Sequence, residues 1–159
     1  MRIDDRVEQR VRETLHLVVK RRKGEFEKAL RDFPDEQTRT ASLELLVAVS
    51  LFVLLEAFEG RPANSDLDDL AEELAHMEDS LPFTEDEYRA FLLAILDGVP
   101  LESALPPNVS VILAFVVAGS LLSSRQKPEG EWWFDYLDKI EEAIEQAPDV
   151  ERQSAEGPR

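Results

Sequence analysis

The sequence contains no cysteine and only two histidines among its 159 residues. Without cysteine, the chain forms no disulfide, no thiolate zinc site and no cysteine nucleophile. The glycine-rich loops that bind phosphate and the GxSxG motif of serine hydrolases are also missing from the sequence. These absences remove most of the catalytic and cofactor classes that short motifs identify, and we expect no cofactor.

Basic residues are scarce, because 18 Lys and Arg stand against 34 Asp and Glu, giving a formal net charge of −16. Phosphate backbones bind cationic surfaces, so we expect no nucleic-acid partner. The same argument disfavours anionic lipid. Residues 1–40 hold 11 basic and 9 acidic residues, whereas residues 41–159 hold 7 basic and 25 acidic residues. The partner expected for such an anionic surface is a basic protein.

The two ends of the sequence are polar. No positively charged segment followed by an apolar run is present near the N-terminus, so we expect a cytoplasmic protein without a signal peptide. Residues 149–159 are polar and show no periodicity, and we expect them to form a disordered tail. The length favours one domain, which we place at residues 1–148.

Apolar residues recur at helical spacing, and the alternation typical of strands is absent. Prolines and glycines between the periodic segments divide the chain into about six helices. The first predicted helix begins near Ile3 and ends before Pro34, with a kink or break near Gly24. The basic run of residues 20–23 is interpreted as a solvated part of this helix. Thr84 and Glu87 form a capping-box pattern that predicts the start of a later helix.

Two of these helices, at about 41–58 and 109–123, are apolar on nearly all sides. Such helices are buried, so we predict an all-α, single-domain bundle in which amphipathic helices surround them. Their dense apolar cores, residues 45–55 and 109–122, are 11 and 14 residues long. A membrane-spanning helix needs about 20 apolar residues. A soluble bundle is therefore favoured, and a two-helix membrane hairpin is kept as an alternative.

Each histidine follows a glutamate by three residues, in the pairs Glu13–His16 and Glu73–His76. Glu-x-x-His on two helices forms half of a di-iron carboxylate site when the side chains point into the bundle. Here the helical phase places both pairs away from the apolar stripes of their helices. We therefore predict two exposed histidines and no metal at these positions.

Asp68, Asp69 and Glu72 form a DDxxE pattern at the start of a predicted helix. Carboxylates at this spacing are able to share a divalent cation, so a small all-α enzyme with a carboxylate-bound metal is an alternative function. Acidic residues are also favoured in a first helical turn by the helix dipole alone. The dipole explanation is preferred here, and no metal is predicted.

The last predicted helix, at about 131–147, carries a row of carboxylates that we call the carboxylate ridge. Trp133, Ile140 and Ile144 belong to its apolar stripe, and the opposite face carries acidic residues spaced 4, 3, 4 and 3 apart. The ridge consists of Glu131, Asp135, Asp138, Glu142 and Glu145. Like charges one turn apart destabilise a helix, which suggests a positively charged partner. Phe134 lies off the apolar stripe and is predicted to be an apolar anchor beside the ridge.

These patterns favour a non-enzymatic acidic protein-binding module. No stretch carries a family signature, although the general look resembles many immunity proteins and antitoxins in composition alone. The predicted function is to bind and neutralise a basic partner, as an inhibitor does, through complementary charge. The predicted binding residues are the carboxylate ridge, Phe134, and a second acidic region formed by Asp68, Asp69 and Glu72. A homo-oligomer through the N-terminal helix is left open.

Overall fold

The computed structural model describes residues 2–78, 80–124 and 130–146. In these ranges the chain is all-helical and has no strand, which confirms the predicted helical bundle. The helices are α1 (Asp5–Val19), α2 (Lys23–Arg31), α3 (Glu36–Ala57), α4 (Asn64–Met77), α5 (Glu85–Asp97), α6 (Pro107–Ser124) and α7 (Trp133–Gln146), with a short 3₁₀ turn at Leu101–Ser103. The predicted disordered tail lies outside the described residues.

The first predicted helix is two helices, and the break precedes Gly24. Arg21 adopts the left-handed conformation, with φ +57°. The Arg22 N–H donates to the carbonyl of Leu17 at 2.9 Å, and this bond closes α1. Gly24 lies instead in the first turn of α2. The four residues of the run 20–23 are exposed, as predicted, but the prediction that they are helical is wrong, because most of the run forms the turn between two helices.

Tertiary contacts hold this turn in place. The Arg21 guanidinium donates to the carbonyl of Met77 at 2.9 Å and contacts Glu78 Oε2 at 3.3 Å. Glu78 is largely buried and also accepts a hydrogen bond from Ser120 at 3.0 Å. These contacts connect the α1–α2 turn to the end of α4 and to α6. The basic side chain therefore has a structural role that its sequence context does not reveal.

Helix α6 is the centre of the bundle and packs against α1, α3, α5 and α7. Eleven of its 18 residues are buried. Gly119 allows α1 to approach closely, because a Cβ atom at that position would lie 2.8 Å from Val18 Cγ1. The predicted apolar helix at 109–123 thus corresponds to the most enclosed element of the fold.

Helix α3 is buried along one side, where seven of its 22 residues are enclosed. Leu43, Val47 and Leu51 on its other side are half-buried, and Leu55 is 39% exposed. Both α3 and α6 are long and apolar enough to cross a membrane by length and composition, a test that core helices of soluble proteins also pass. The two apolar helices therefore differ in burial although they are similar in composition.

The predicted capping box at the start of α5 is confirmed. Thr84 Oγ1 accepts from the Glu87 N–H at 3.2 Å, and Glu87 Oε1 accepts from the Thr84 N–H at 3.0 Å. These reciprocal bonds give a hydrogen-bond acceptor to two backbone N–H groups at the helix start that would otherwise lack one. Helix α5 packs mainly against α4, and this pair carries the second acidic region.

Candidate protein-binding surface on the last helix

Helix α7 is fixed in rotation by its apolar side. Trp133, Leu137 and Ile140 are buried, and the helix packs against α3 and α6. The Tyr136 hydroxyl donates to Glu56 Oε1 at 2.7 Å, which connects α7 to the end of α3. These contacts decide which carboxylates of the ridge point outward.

Two members of the carboxylate ridge make contacts near the start of α7. Glu131 is half-buried and forms an ion pair with Lys139. Asp135 is half-buried and accepts from the Trp132 N–H at 2.9 Å. A carboxylate in this position accepts a hydrogen bond from a backbone N–H that has no partner within the helix. Its negative charge also interacts favourably with the positive end of the helix dipole. Both residues therefore stabilise their own helix.

Two further members of the ridge contact the N-terminal part of the chain. Asp138 Oδ1 forms an ion pair with Arg12 Nη2 at 2.7 Å, although the Asp138 side chain remains 62% exposed. Glu145 is exposed, and its Oε2 lies 3.5 Å from the Ile3 nitrogen, at the limit of a hydrogen bond. Like-charge repulsion along the ridge is thus reduced by Arg12 and Lys139.

Glu142 contacts its own helix and makes no ion pair with another element in the described structure. It is exposed and accepts a hydrogen bond at 3.2 Å from Gln146 in the same helix. Its carboxylate is therefore available on the outer side of α7. A charge change at this position leaves the ion pair of Arg12 with Asp138 in place, which makes Glu142 suitable for mutation.

Two aromatic side chains are exposed at the start of α7. Phe134 is 42% exposed, which agrees with its predicted position off the apolar stripe. Trp132 is 65% exposed, and sequence analysis did not identify it as a surface residue. The signal was present, because Trp132 immediately precedes the helix and does not belong to the 133–137–140–144 stripe. The adjacent Trp133 is buried and packs against His16.

A cleft of about 350 Å³ lies between α1 and α7. Its lining is mostly acidic and contains one basic side chain, that of Arg12. The lining residues are Ile3, Asp5, Glu8, Arg12, Asp138, Glu141 and Glu145. Arg12 contacts Glu8 Oε1 at 2.6 Å and Glu141 Oε1 at 3.0 Å. Burial lowers the pKa of Arg12, but the hydrogen bond and charge of Glu8, with Glu141 and Asp138, raise it overall.

Glu141 is a buried carboxyl that sequence analysis missed. Its residue surface is only 8% exposed. It follows Leu137 by four residues and Ile140 by one, so it lies on the flank of the buried stripe, and this spacing could have identified it. Burial and the nearby Glu8 raise the pKa of Glu141 to about 7, against the opposing charge of Arg12.

The second predicted acidic region lies on α4, where Asp68, Asp69 and Glu72 are all exposed. Asp68 Oδ1 accepts from Arg89 Nε at 2.5 Å, which connects α4 to α5. Among residues 2–78, 80–124 and 130–146, no group of three or more His, Asp or Glu side chains is arranged to hold a metal ion. The three residues thus form a solvated acidic face with one ion pair across the helix pair.

Both Glu-x-x-His pairs lie on the surface. Glu13, His16, Glu73 and His76 are exposed, as the helical phase predicts. The His16 ring lies 6.5 Å from the Trp133 ring, centroid to centroid, so it covers part of the aromatic side of α7. The geometry required for a di-iron site inside the bundle is not present among these four side chains.

Comparisons with protein-family models, with curated proteins and with solved structures found no match to this chain. The surface itself therefore provides the indications of function. Its two most distinctive features are the exposed aromatic and acidic side of α7 and the acidic cleft between α1 and α7.

Proposed function

We propose that this chain is a non-enzymatic binding module that binds a basic protein through the outer side of α7. The surface consists of Trp132, Phe134, Asp138, Glu142 and Glu145, and we call it the α7 face. The exposure of Trp132 and Phe134 beside these carboxylates is the observation that carries the proposal. Aromatic side chains are enriched at the centres of protein interfaces, and polar residues form the rim around them.

The α7 face is continuous along the helix. Phe134, Asp138 and Glu142 are spaced four residues apart and therefore form one row on the surface. Among the residues that the structure describes, four large hydrophobic side chains are exposed: Leu55, Val99, Trp132 and Phe134. Two of these four lie within one turn at the start of α7, so the apolar surface is concentrated next to the acidic row.

The chemistry of the face indicates a cationic partner. The whole chain carries a formal charge of −16. A field of this sign accelerates encounters with a basic protein and repels nucleic acid. We propose that the partner is a basic toxin or nuclease that the chain neutralises in the cytoplasm, as immunity and inhibitor proteins do. The carboxylates Asp68, Asp69 and Glu72 provide a second acidic region for the same partner.

The alternative function, a metal-dependent enzyme, would use Asp68, Asp69 and Glu72. Asp68 is already held by Arg89 at 2.5 Å. A metal site needs several oxygen ligands that converge on one point, and these three side chains are spread over an exposed helical face. The binding module accounts for the exposed aromatics, whereas the enzyme leaves them without a role.

Binding to the α7 face is tested with single variants and the partner identified by mass spectrometry after low-salt capture on the full chain. In association kinetics with the purified partner, we expect Trp132→Ala to weaken binding at least about tenfold through faster dissociation, at low and high salt alike. Glu142→Lys is expected to slow association, and its effect should shrink as the salt concentration rises.

Glu72→Lys on α4 makes the same charge change in the second acidic region, and we expect it to weaken binding less than Glu142→Lys does, because α4 contains no Trp, Tyr or Phe beside its carboxylates. Asp135 is left unchanged because it accepts a hydrogen bond from the Trp132 N–H. Asp138 is left unchanged because it forms an ion pair with Arg12. If both α7 variants bind like the wild type, the α7 face is not the binding surface. If Glu72→Lys alone weakens binding, the partner docks on α4 instead.

A further inference from the structure

Glu141 has an oxygen with no partner inside the contact between α1 and α7. Its Oε1 accepts from Arg12 Nη2 at 3.0 Å, whereas its Oε2 is buried and has no hydrogen-bond donor among the described residues. A buried carboxylate oxygen without a donor is costly. Glu8 lines the same cleft as Glu141 and pairs with the same guanidinium, and two carboxylates hydrogen-bond to each other only with a proton between them.

The single positive charge in the cleft does not neutralise the several carboxylates that face it. Arg12 pairs with Glu8 at 2.6 Å, with Asp138 at 2.7 Å and with Glu141 at 3.0 Å. Asp5 and Glu145 also line the cleft. Helices α3 and α6 pack against α7 as well, but the groups that shift the pKa of Glu141 all lie on α1 and α7. One guanidinium therefore faces three carboxylates in direct contact.

We propose that Glu8 and Glu141 share one proton, which Glu141 Oε2 donates to Glu8, and that loss of this proton as the pH rises weakens the attachment of α7 to α1. The shared proton gives the buried oxygen a partner and removes one negative charge from the group around Arg12. When it leaves, two carboxylates repel each other across the helix contact. This inference does not rest on the proposed function.

The direction of the pH dependence follows from the pKa of Glu141. In the folded chain, burial first and Glu8 second raise this pKa to about 7, above the ordinary value of 4.5. Between these two pH values the folded chain binds more protons than the unfolded chain. The stabilising contribution of the proton is therefore present on the acid side and is lost as the pH rises through about 7.

The direct test is a carboxyl-carbon NMR titration of the full chain labelled with ¹³C-glutamate. Glu141→Gln identifies the Glu141 signal by its disappearance. We expect this signal to titrate with a midpoint near neutral pH, above the ordinary range of glutamate. A Glu141 midpoint in that ordinary range overturns the proposal. If Glu141→Gln does not fold, the wild-type titration alone still shows whether any glutamate carboxyl has a midpoint near neutral pH, and the absence of such a signal overturns the proposal.

The consequence for stability is tested by urea unfolding of the wild type, Glu141→Gln and the control Glu142→Gln at about pH 5 to about pH 8. We expect the wild-type unfolding constant to rise with pH, by at most about tenfold per pH unit for one proton. Glu141→Gln should lose this rise, and Glu142→Gln should keep it. The two histidines are present in all three proteins, so they do not contribute to the difference between the profiles. Parallel profiles for the wild type and Glu141→Gln contradict the proposed role of the proton.

Discussion

Gly24 and Gly119 both lie in helices but differ in what surrounds them. A Cβ atom on Gly24 meets no other atom within 4 Å, whereas one on Gly119 meets the branched side chain of Val18, with Cγ1 at 2.8 Å and Cβ at 3.3 Å. Val18 has little rotational freedom, so α1 itself would have to move. Glycine therefore only weakens the helix at position 24, whereas position 119 requires glycine for the close packing of α1 against α6.

We expect Gly119→Ala to lower the free energy of unfolding by about 1–3 kcal/mol, because the added methyl group overpacks the α1–α6 contact. Gly24→Ala should raise it by up to about 1 kcal/mol, because alanine favours the helix and the space is open. Urea unfolding of both variants measures these changes. If Gly119→Ala is as stable as the wild type, α1 and α6 do not approach as closely as described.

Helical phase in the sequence identified some of the candidate binding residues and missed others. Helical phase was enough to place Phe134 off the buried stripe. It did not identify Trp132, which lies before the helix, where phase no longer applies. Glu141 was passed over because a carboxyl is rarely buried. Its burial depends on Arg12 and Glu8, which are more than 120 positions away in the sequence.

At the scale of the elements, helix ends are decided by left-handed residues that are not always glycine. At the end of α5 the left-handed residue is Gly98, with φ +68°, and beyond α3 it is Glu59, two positions after Ala57, with φ +54°. The bond from the Gly60 N–H to the carbonyl of Leu55, at 2.8 Å, closes α3 in the manner of a Schellman motif. An L-amino acid in this conformation is strained, because its Cβ atom lies too close to the carbonyl oxygen.

We expect Glu59→Gly to raise the free energy of unfolding by about 0.5–1 kcal/mol, because glycine adopts the left-handed conformation without strain. Gly98→Ala, the opposite change at the equivalent position of α5, should lower it by about 1–2 kcal/mol. Thermal unfolding followed by circular dichroism measures both. A stabilised Gly98→Ala variant would show that this helix end does not need the left-handed conformation.

The whole molecule is organised around α6. Its composition suits either a membrane span or a core helix, and the tertiary structure encloses it between four other helices, with 11 of its 18 residues buried. The amphipathic helices need this apolar surface for their own burial. The hairpin alternative would remove α6 from the bundle and leave the apolar side of α1 without its main contact.

We therefore expect the full chain to appear in the soluble fraction after expression and to remain there after membranes are washed with alkaline carbonate. The physical reason is that the apolar side chains of α6 are already removed from water inside the bundle. Fractionation followed by immunoblotting measures this, with an established membrane protein of the same host as the control. Retention of the chain in the washed membranes would favour the two-helix hairpin.

Local sequence signals were enough to predict the helical class, the approximate helix positions and the exposure of both histidines. Apolar spacing reports the face that a helix buries, and proline and capping residues report where it begins or ends, so both signals are local. The capping box of Thr84 and Glu87 is an example, since both of its bonds join residues three apart. The net charge, which motivates a basic partner, is also a property of composition alone.

Which charges remain available depends instead on contacts between helices that are distant in the sequence. Asp138 and Glu145 lie in the same predicted row as Glu142, yet they contact the N-terminal part of the chain, whereas Glu142 contacts its own helix. The break after α1 likewise follows contacts of Arg21 with residues 77 and 78, and does not follow the nearest glycine. These outcomes depend on which helices become neighbours, and local spacing carries no information about neighbours that are distant in sequence.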